Sequence, residues 1–214
     1  MRYSIPSMLV TTDAIILSLQ PYSDKAHLLH AYTRAHGRVN YMVYGLGRKH
    51  AIGLYTPFTV VQLTADYPSG SSSKPPTLKE ATRIGSNVGM NGGTDAIRQS
   101  IALFLSEVLY HTLRHPMSDE PLFDFIASYA QLLWQTDADE KTVELSNLHI
   151  RFLIGFAAQL GFAIDEKEQP QLVRPPLSRP QRQKQLRALC GYFADHVETW
   201  VEPRSLDILT EIFD

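Results

Sequence analysis

The chain contains few groupings of side chains whose types and spacing could carry out chemistry. His27 and His30 are three residues apart, and His111 and His115 are four apart. Residues four apart share one face of a helix, so the second pair could in principle hold a metal ion. Neither pair has a third ligand at a recognised spacing. We therefore expect hydrogen-bonded or solvated histidines and no metal cofactor.

Other catalytic groupings are equally weak. The acidic residues of the second half are scattered through predicted loops, and no nucleophile elbow, metalloprotease helix or kinase motif set occurs. The single cysteine, Cys190, cannot form an intramolecular disulfide or a cysteine-based zinc site. Its place in an apolar helical stripe predicts a small buried hydrophobe. We predict a protein that is not an enzyme and that needs no cofactor.

A glycine-bracketed basic segment follows the third predicted strand, with the sequence Gly45-Leu46-Gly47-Arg48-Lys49. It lacks the spacing and the Lys-Ser/Thr ending of a nucleotide-binding loop. Glycines would let the backbone approach a phosphate while Arg48 and Lys49 neutralise it. A tight turn with exposed charges explains the segment equally well from its chemistry alone.

One strand face has the composition of a single-strand-binding surface. In the predicted third strand Val39, Tyr41 and Val43 share one face, and the alternating residues between and around them share the other. That second face combines a cation for phosphate with an aromatic ring for base stacking, which sequence-tolerant binding of single strands requires. A polar outer face of a barrel is the competing interpretation, and the pattern alone favours it slightly. The residues of the second face are Arg38, Asn40, Met42 and Tyr44.

Charge is distributed unevenly along a chain whose net charge is only −2. Residues 1–80 carry eight lysines and arginines against four acids, whereas the remainder carries twelve against eighteen. Such an asymmetry suggests that the first part meets something anionic.

The first part of the chain predicts five short strands. Two-residue alternation and turn residues mark five runs in about eighty residues, with a Gly/Ser loop between Pro68 and Pro76. Strands without intervening helices favour a small closed or partly open barrel, and an SH3-like barrel is the nearest competitor. The runs lie near Ile15–Leu19, Lys25–Thr33, Arg38–Tyr44, Phe58–Ala65 and Thr77–Ile84.

After Gly92-Gly93 the apolar period changes from two to about 3.6, which indicates helices. Ser118 with the acids and proline after it predicts a helix start, and Gly161 predicts a left-handed helix end. Apolar stripes predict a bundle of about five helices. The predicted fold class is α+β, with a barrel domain at residues 1–85 and a helical bundle domain at residues 92–214.

Several segments, taken in order, resemble the RecO family of recombination mediators. Residues 11–17 resemble the opening strand of that family, Tyr22-Ser23-Asp24-Lys25 its Ser-Asp-Lys turn, and Tyr32-Thr33-Arg34-Ala35-His36-Gly37-Arg38 its Leu-Thr-Arg-Glu-His-Gly-Lys segment. The basic loop at 44–49 and Tyr55-Thr56-Pro57-Phe58 are similar to further family segments. Residues 101–110, 120–123, 160–162 and 205–213 look like a Bacteroidetes-type member.

The resemblance implies an OB-fold barrel that binds single- and double-stranded DNA and anneals complementary strands. It also implies partnership with RecR, and contact with the C-terminal tail of single-strand-binding protein so that RecA can be loaded. Arg114 and Arg151, on predicted helices, are weaker candidates for contacting that acidic tail. The residues that we expect to face DNA are Lys25, Arg34, Arg38, Tyr44, Arg48 and Lys49.

Two departures from the family pattern matter. Many relatives carry a four-cysteine zinc finger between the late helices, but here one cysteine remains and the region is reduced to Pro170–Pro180. We therefore expect no zinc. The basic loop is interrupted by a glycine and the overall charge is nearly neutral, so we expect modest, salt-dependent affinity for DNA.

Two other classes of function stay open from sequence. The barrel could be an adaptor that binds only protein partners, or the histidines could serve a metal-dependent hydrolase. No apolar run is long enough to cross a membrane, and the first residues lack a secretion signal. We expect a cytoplasmic, nucleoid-associated protein.

Overall fold

The structure, a computed structural model, describes residues 7–46, 52–68, 74–85, 93–135, 145–165, 167, 169, 172 and 177–212. The strands are β1 (Ser7–Ser23), β2 (Ala26–Thr33), β3 (Gly37–Tyr44), β4 (Val60–Pro68) and β5 (Thr77–Arg83), with a 3₁₀ helix at Ile52–Tyr55. The helices are α1 (Gly93–Thr112), α2 (Glu120–Gln135), α3 (Leu148–Gln159), α4 (Arg179–His196) and α5 (Ser205–Ile212). The predicted α+β class is confirmed. None of the described helices has both the length and the apolar character of a membrane span.

The five strands form a closed barrel in the order β1-β2-β3-β5-β4. Neighbouring strands run antiparallel except β3 and β5, which are parallel where Met42 pairs with Thr77. The amide of Met42 donates to the carbonyl of Pro76 at 2.8 Å beside that pair. This order, with a parallel junction between the third and fifth strands, is the OB-fold and not the SH3-like alternative.

A bulge in β1 changes which of its residues face the barrel core. Ile15, Leu17 and Leu19 alternate in the sequence, which predicts that they share one face of the strand. Instead, Ile16 lies in the core, the register shifts between Ile16 and Ser18, and Leu19 packs against the core after the shift. An extra residue in one strand inverts the alternation beyond it. Ile15 and Leu17 are also buried, so burial in this strand does not follow a simple two-residue period.

The predicted start of the fourth strand at Phe58 is wrong by two residues, since β4 begins at Val60. Phe58 has φ +57°, a left-handed conformation that a strand residue does not adopt. Its amide donates to the carbonyl of Ile16 at 2.8 Å, and the amide of Ile16 donates to the carbonyl of Thr59 at 3.0 Å. The side chain of Phe58 is fully buried, so tertiary packing and these two bonds hold a conformation that local sequence disfavours.

The chain forms two compact units that are not continuous in sequence. One unit contains Met1–Ser86 together with Leu113–Gln131, and the other contains Asn87–Thr112 together with Leu132–Asp214. Most of α2 therefore belongs with the barrel. The division of the chain into domains at residues 1–85 and 92–214 stays a prediction.

Within the barrel unit, α2 packs on the outer side of β2. The ring of Phe123 stacks on the ring of Tyr32 with centroids 6.3 Å apart. The helix is capped by Asp119, whose carboxylate accepts the amide of Leu122 at 2.9 Å. The predicted cap was Ser118, so the observed cap lies one residue later. The carboxylate of Asp119 accepts a hydrogen bond from the first turn, and its negative charge is also favourable at the positive end of the helix dipole.

Aromatic rings and a polar cap hold the helical unit together. Phe156 of α3 stacks on Phe193 of α4 with centroids 5.9 Å apart, and Trp200 packs on Phe193 at 5.3 Å. The carboxylate of Glu107 on α1 accepts the amide of Ser205 at 2.9 Å, which caps α5. Gly161 has φ +89° after α3, as predicted. Cys190 is buried as predicted, and burial with the nearby Glu202 carboxylate raises the pKa of its thiol to about 12.

We expect Gly37→Ala to destabilise the barrel unit. Gly37 has φ +62°, and a Cβ there would collide with the backbone of Met117, which crosses the barrel at this point. The strained backbone alone should lower the free energy of unfolding by about 1–3 kcal/mol. Urea unfolding followed by circular dichroism measures the change. Gly53→Ala is the matched control, because no atom lies within 4 Å of a Cβ built there; equal effects of the two substitutions would contradict the analysis.

A second prediction concerns the stability of the helical unit in acid. Burial, with a smaller effect of the Arg182 charge, lowers the pKa of His149 to about 3, below its unfolded value near 6.5. Between these values the unfolded chain binds the proton more tightly, so stability falls as pH decreases below about 6.5. In His149→Leu the pH dependence of the unfolding free energy in this window should become shallower by about one proton. Leu153→Ala, a core control, should lower stability without changing that slope.

Candidate nucleic-acid interface

The two faces of β3 are separated as the alternation predicts. Tyr41 and Val43 are fully buried in the barrel core. Asn40 and Tyr44 are exposed, and Tyr44 retains half of its accessible surface. Met42 is nearly buried between them. The outer face of β3 therefore offers an amide, a thioether and a phenol ring in a row.

A cavity of about 590 Å³ lies over this row. It is formed by the end of β1, the middle of β2, the outer face of β3, the end of β4 and the start of β5. The closing pair of the barrel, Met42 and Thr77, is part of its wall. We call this cavity the barrel groove; its lining residues are Tyr22, Leu28, Asn40, Met42, Tyr44, Asp66, Pro68, Lys74, Pro75 and Thr77.

Two exposed tyrosines line the barrel groove. Tyr22, near the end of β1, is 67% exposed, and Tyr44, at the end of β3, is 50% exposed. The β1–β2 hairpin places these ends together, since Ser23 pairs with Ala26 and Ala26 pairs with Tyr44. Exposed aromatic rings beside an apolar floor are the arrangement on which bases of a single strand stack.

Cations lie in and beside the barrel groove. Lys74 is exposed and lines it, and Lys25 is exposed in the tight turn between β1 and β2. The one acid in the lining, Asp66, is 3.6 Å from the ammonium of Lys79, which offsets its charge. The groove thus presents donors for phosphate together with a neutralised carboxylate.

A buried histidine supports the polar residue of this surface. His30 on β2 is directly opposite Asn40 on β3, and its Nδ1 is 2.6 Å from the amide oxygen of Asn40. Burial lowers the pKa of His30, the bond to Asn40 opposes this, and the nearby charge of Arg38 lowers it further. Arg38 therefore lies near His30. It is six residues from Tyr44 on the same strand, which corresponds to a distance of about 20 Å.

Arg34 does not join this surface. Its guanidinium bonds to the carboxylate of Asp124 on α2, lies 3.9 Å from the carboxylate of Asp13, and sits 4.5 Å above the ring of Phe123. Arg34 consequently ties α2 to the β2–β3 turn. Its prediction as a DNA-facing residue has no support in this geometry.

The remaining predicted residues are dispersed. Arg48 and Lys49 lie outside the described residues. Arg114 was predicted on a helix but lies two residues beyond the end of α1, where His115-Pro116 follows; Arg151 is exposed on α3. The residues that the structure describes contain no group of three or more side chains suited to hold a metal ion.

Sequence reasoning missed two residues of the barrel groove, Tyr22 and Lys74, and also His30, which bonds to the groove residue Asn40. Tyr22 was assigned to a turn, Lys74 to a flexible loop, and His30 to a weak metal pair. Tyr22 and His30 reach the β3 face through pairing of β1 with β2 and of β2 with β3, whereas Lys74 reaches it through the junction between β3 and β5. The strand alternation around Leu29 and Ala31 could have placed His30 on the same side as Leu28.

Comparisons with known proteins show what this barrel and the rest of the chain are similar to. A sequence profile described as "Recombination protein O N terminal" matches residues 8–84, which span the whole barrel. The chain is 25% identical to a DNA repair protein RecO of Christiangramia forsetii, over 96% of this chain and 100% of the relative. The barrel thus matches the N-terminal domain of the RecO family, and the rest of the chain is similar to proteins of that family. The chain is also similar to proteins of the same name from Porphyromonas gingivalis (29% identity, 74% of this chain and 63% of the relative) and Phocaeicola vulgatus (31%, 72% and 61%).

We expect Arg34→Met to change the titration of Asp124. The hydrogen bond and charge of Arg34 hold the pKa of that carboxyl below its usual range. Without the guanidinium the pKa of Asp124 should rise toward its ordinary value, as measured by a carboxyl carbon NMR titration. Lys25→Met, which removes a cation from the β1–β2 turn, should leave the pKa of Asp124 unchanged. An unchanged Asp124 in Arg34→Met would contradict the contact.

Proposed function

We propose that this chain is a non-enzymatic mediator of recombinational DNA repair. It binds DNA and anneals complementary strands and, with RecR, helps to load RecA onto single-stranded DNA that is covered by single-strand-binding protein. Similarity to proteins named DNA repair protein RecO supports a role in DNA repair. A cytoplasmic location at the nucleoid fits this role.

The observation that carries the DNA-binding part of the proposal is the barrel groove. Its exposed rings, Tyr22 and Tyr44, offer stacking surfaces, and Lys74 offers a charge for the backbone. Stacking contributes roughly 1–3 kcal/mol for each base and tolerates any sequence. A groove with these groups suits a flexible single strand better than a duplex, whose bases are already stacked.

The partner contacts are proposed on weaker grounds. An acidic peptide such as the tail of single-strand-binding protein would need exposed cations, and Arg114 and Arg151 are both exposed. Arg114 belongs to one compact unit and Arg151 to the other. The contact with RecR and binding of double-stranded DNA rest on the family resemblance.

A fluorescence anisotropy titration with a labelled single-stranded oligonucleotide tests the proposal. The logarithm of the binding constant should fall linearly with the logarithm of salt concentration, by about 0.7 for each phosphate neutralised. Replacing Lys25 and Lys74 together by alanine should reduce this slope. Tyr22→Ala and Tyr44→Ala should each weaken binding by about tenfold at unchanged slope, because they remove stacking and not charge.

Met117→Ala provides the matched control, since Met117 is 74% exposed but lies outside the groove. Its affinity for the oligonucleotide should equal that of the unmodified chain. The alternative, an adaptor whose barrel binds only protein, predicts no oligonucleotide binding even at low salt, together with retained binding of a tail peptide. That result would overturn the proposed function.

A further inference from the structure

The barrel groove, which otherwise suits a polyanion, is lined by an acid. The side chain of Asp66 is 29% exposed and belongs to the groove lining. Its Oδ2 lies 3.6 Å from the ammonium of Lys79, so the two charges attract each other without a short hydrogen bond. A carboxylate repels phosphate and accepts hydrogen bonds only. In a groove for a single strand, it is therefore favourable only where donor groups of the strand approach it.

Strand pairing places Asp66 on the floor of the groove. Leu28 pairs with Met42 across β2 and β3, and Met42 pairs with Thr77 across β3 and β5. Thr77 in turn pairs with Asp66 across β5 and β4. Residues that pair directly share one face of a sheet, so the four form a row, and all four line the groove. The carboxylate therefore ends a row that begins with two apolar side chains.

The length of this row suits one base. Met42 and Asp66 are two strand spacings apart, about 10 Å. A purine that rests on Met42, with a hydrogen bond from its edge to the aspartate side chain, spans about that distance. Tyr44 is two residues from Met42 on the same strand and offers its exposed ring to the neighbouring base. A base on the floor of the groove thus directs its edge at Asp66.

Guanine differs from the other three bases in how its edge meets a carboxylate. Its Watson–Crick edge has the ring N–H directly beside the amino group, and the two oxygens of a carboxylate accept such a pair in parallel. Adenine, cytosine and thymine each present one donor on that edge, next to an acceptor atom that the second carboxylate oxygen repels. Lys79 does not prevent the paired contact, because each carboxylate oxygen has two lone pairs.

We propose that Asp66 is a base-contacting residue of the barrel groove and gives the groove a preference for guanine. This inference rests on the proposed function, because it assumes that a single strand occupies the groove. It explains why an acid lines a site for an anionic strand. The preference is modest, since one additional hydrogen bond at a partly exposed carboxylate distinguishes guanine from the other bases.

The test compares two strands that differ only in the amino group of guanine. Both are oligothymidine with isolated guanines, too few to form a quadruplex, and in the second strand inosine replaces each guanine. Inosine keeps the ring N–H and lacks the amino group, so the second hydrogen bond to the carboxylate is absent. In fluorescence anisotropy titrations at one salt concentration, the unmodified chain should bind the guanine strand roughly two- to tenfold more tightly, the effect of one hydrogen bond.

Asp66→Asn should lower this guanine-to-inosine affinity ratio by about the same factor. The amide has the shape of the carboxylate but places an N–H group against one of the two guanine donors. The intrinsic difference in stacking between guanine and inosine is the same for every chain, so it cancels when the ratios are compared. Circular dichroism verifies that the variant is folded.

Asp13→Asn is the matched control. Asp13 belongs to the same compact unit, its side chain is 35% exposed, and it lies 3.9 Å from the guanidinium of Arg34. It lies outside the groove lining. Loss of its charge should leave the guanine-to-inosine ratio unchanged, even where affinity for both strands rises because a negative charge has been removed.

Three outcomes overturn the inference while the proposed function stands. In the first, the unmodified chain binds the guanine and inosine strands equally. In the second, Asp66→Asn leaves the ratio as high as Asp13→Asn does. In the third, Asp66→Asn weakens binding of a guanine-free ribonucleotide strand but not of its deoxyribonucleotide counterpart, which indicates a contact with the 2′-hydroxyl. If the unmodified chain binds neither strand even at low salt, the proposed function itself fails and the inference fails with it.

Discussion

Closure of the barrel between β3 and β5 is the constraint on which the candidate interface depends. The two strands meet at the Met42–Thr77 pair, supported by the bond from the Met42 amide to the Pro76 carbonyl. The same residues form part of the groove wall. The junction that removes the open edge of the sheet therefore also brings the loop before β5, with Lys74, over the outer face of β3. A sheet left open at this point would keep its core pattern but lose the groove.

The charged residues of the barrel unit divide into two roles. Arg34 contacts two carboxylates and an aromatic ring, so its charge is balanced within the molecule. These contacts join α2 to the β2–β3 turn. Lys25 and Lys74 are exposed at the end of the barrel where Tyr22 and Tyr44 lie. The positive excess of the first eighty residues is thus a poor guide to the surface by itself, because part of it balances acids on the same unit.

Two residues of the barrel unit, Gly37 and Phe58, have left-handed backbone conformations that its packing requires. Gly37 is needed both for its left-handed turn and for the close approach of the chain at Met117. Phe58 adopts a left-handed conformation without being a glycine, because its buried ring and its bond to Ile16 compensate for the cost. Both positions lie next to the start of a strand, Gly37 at the start of β3 and Phe58 before β4.

The sequence by itself determined the classes of element and their order. Alternation in residues 38–44 predicted the two faces of β3 correctly, and the change of period after Gly92-Gly93 predicted the helices, because these patterns are local properties of strands and helices. The order of soft motifs indicated a resemblance to the RecO family, and the comparisons confirmed that resemblance.

Only the tertiary structure decided which residues meet. The bulge after Ile16 reversed the expected facing of β1, and Asp119 replaced Ser118 as the cap of α2. Pairing of β1 with β2 and of β2 with β3 brought Tyr22 and His30 to Asn40 and Tyr44, and the junction between β3 and β5 brought Lys74. Residue types and periodicity report how one segment is buried. They do not report which other segment packs against it. The pairing of strands decided this, and it determined which residues line the groove.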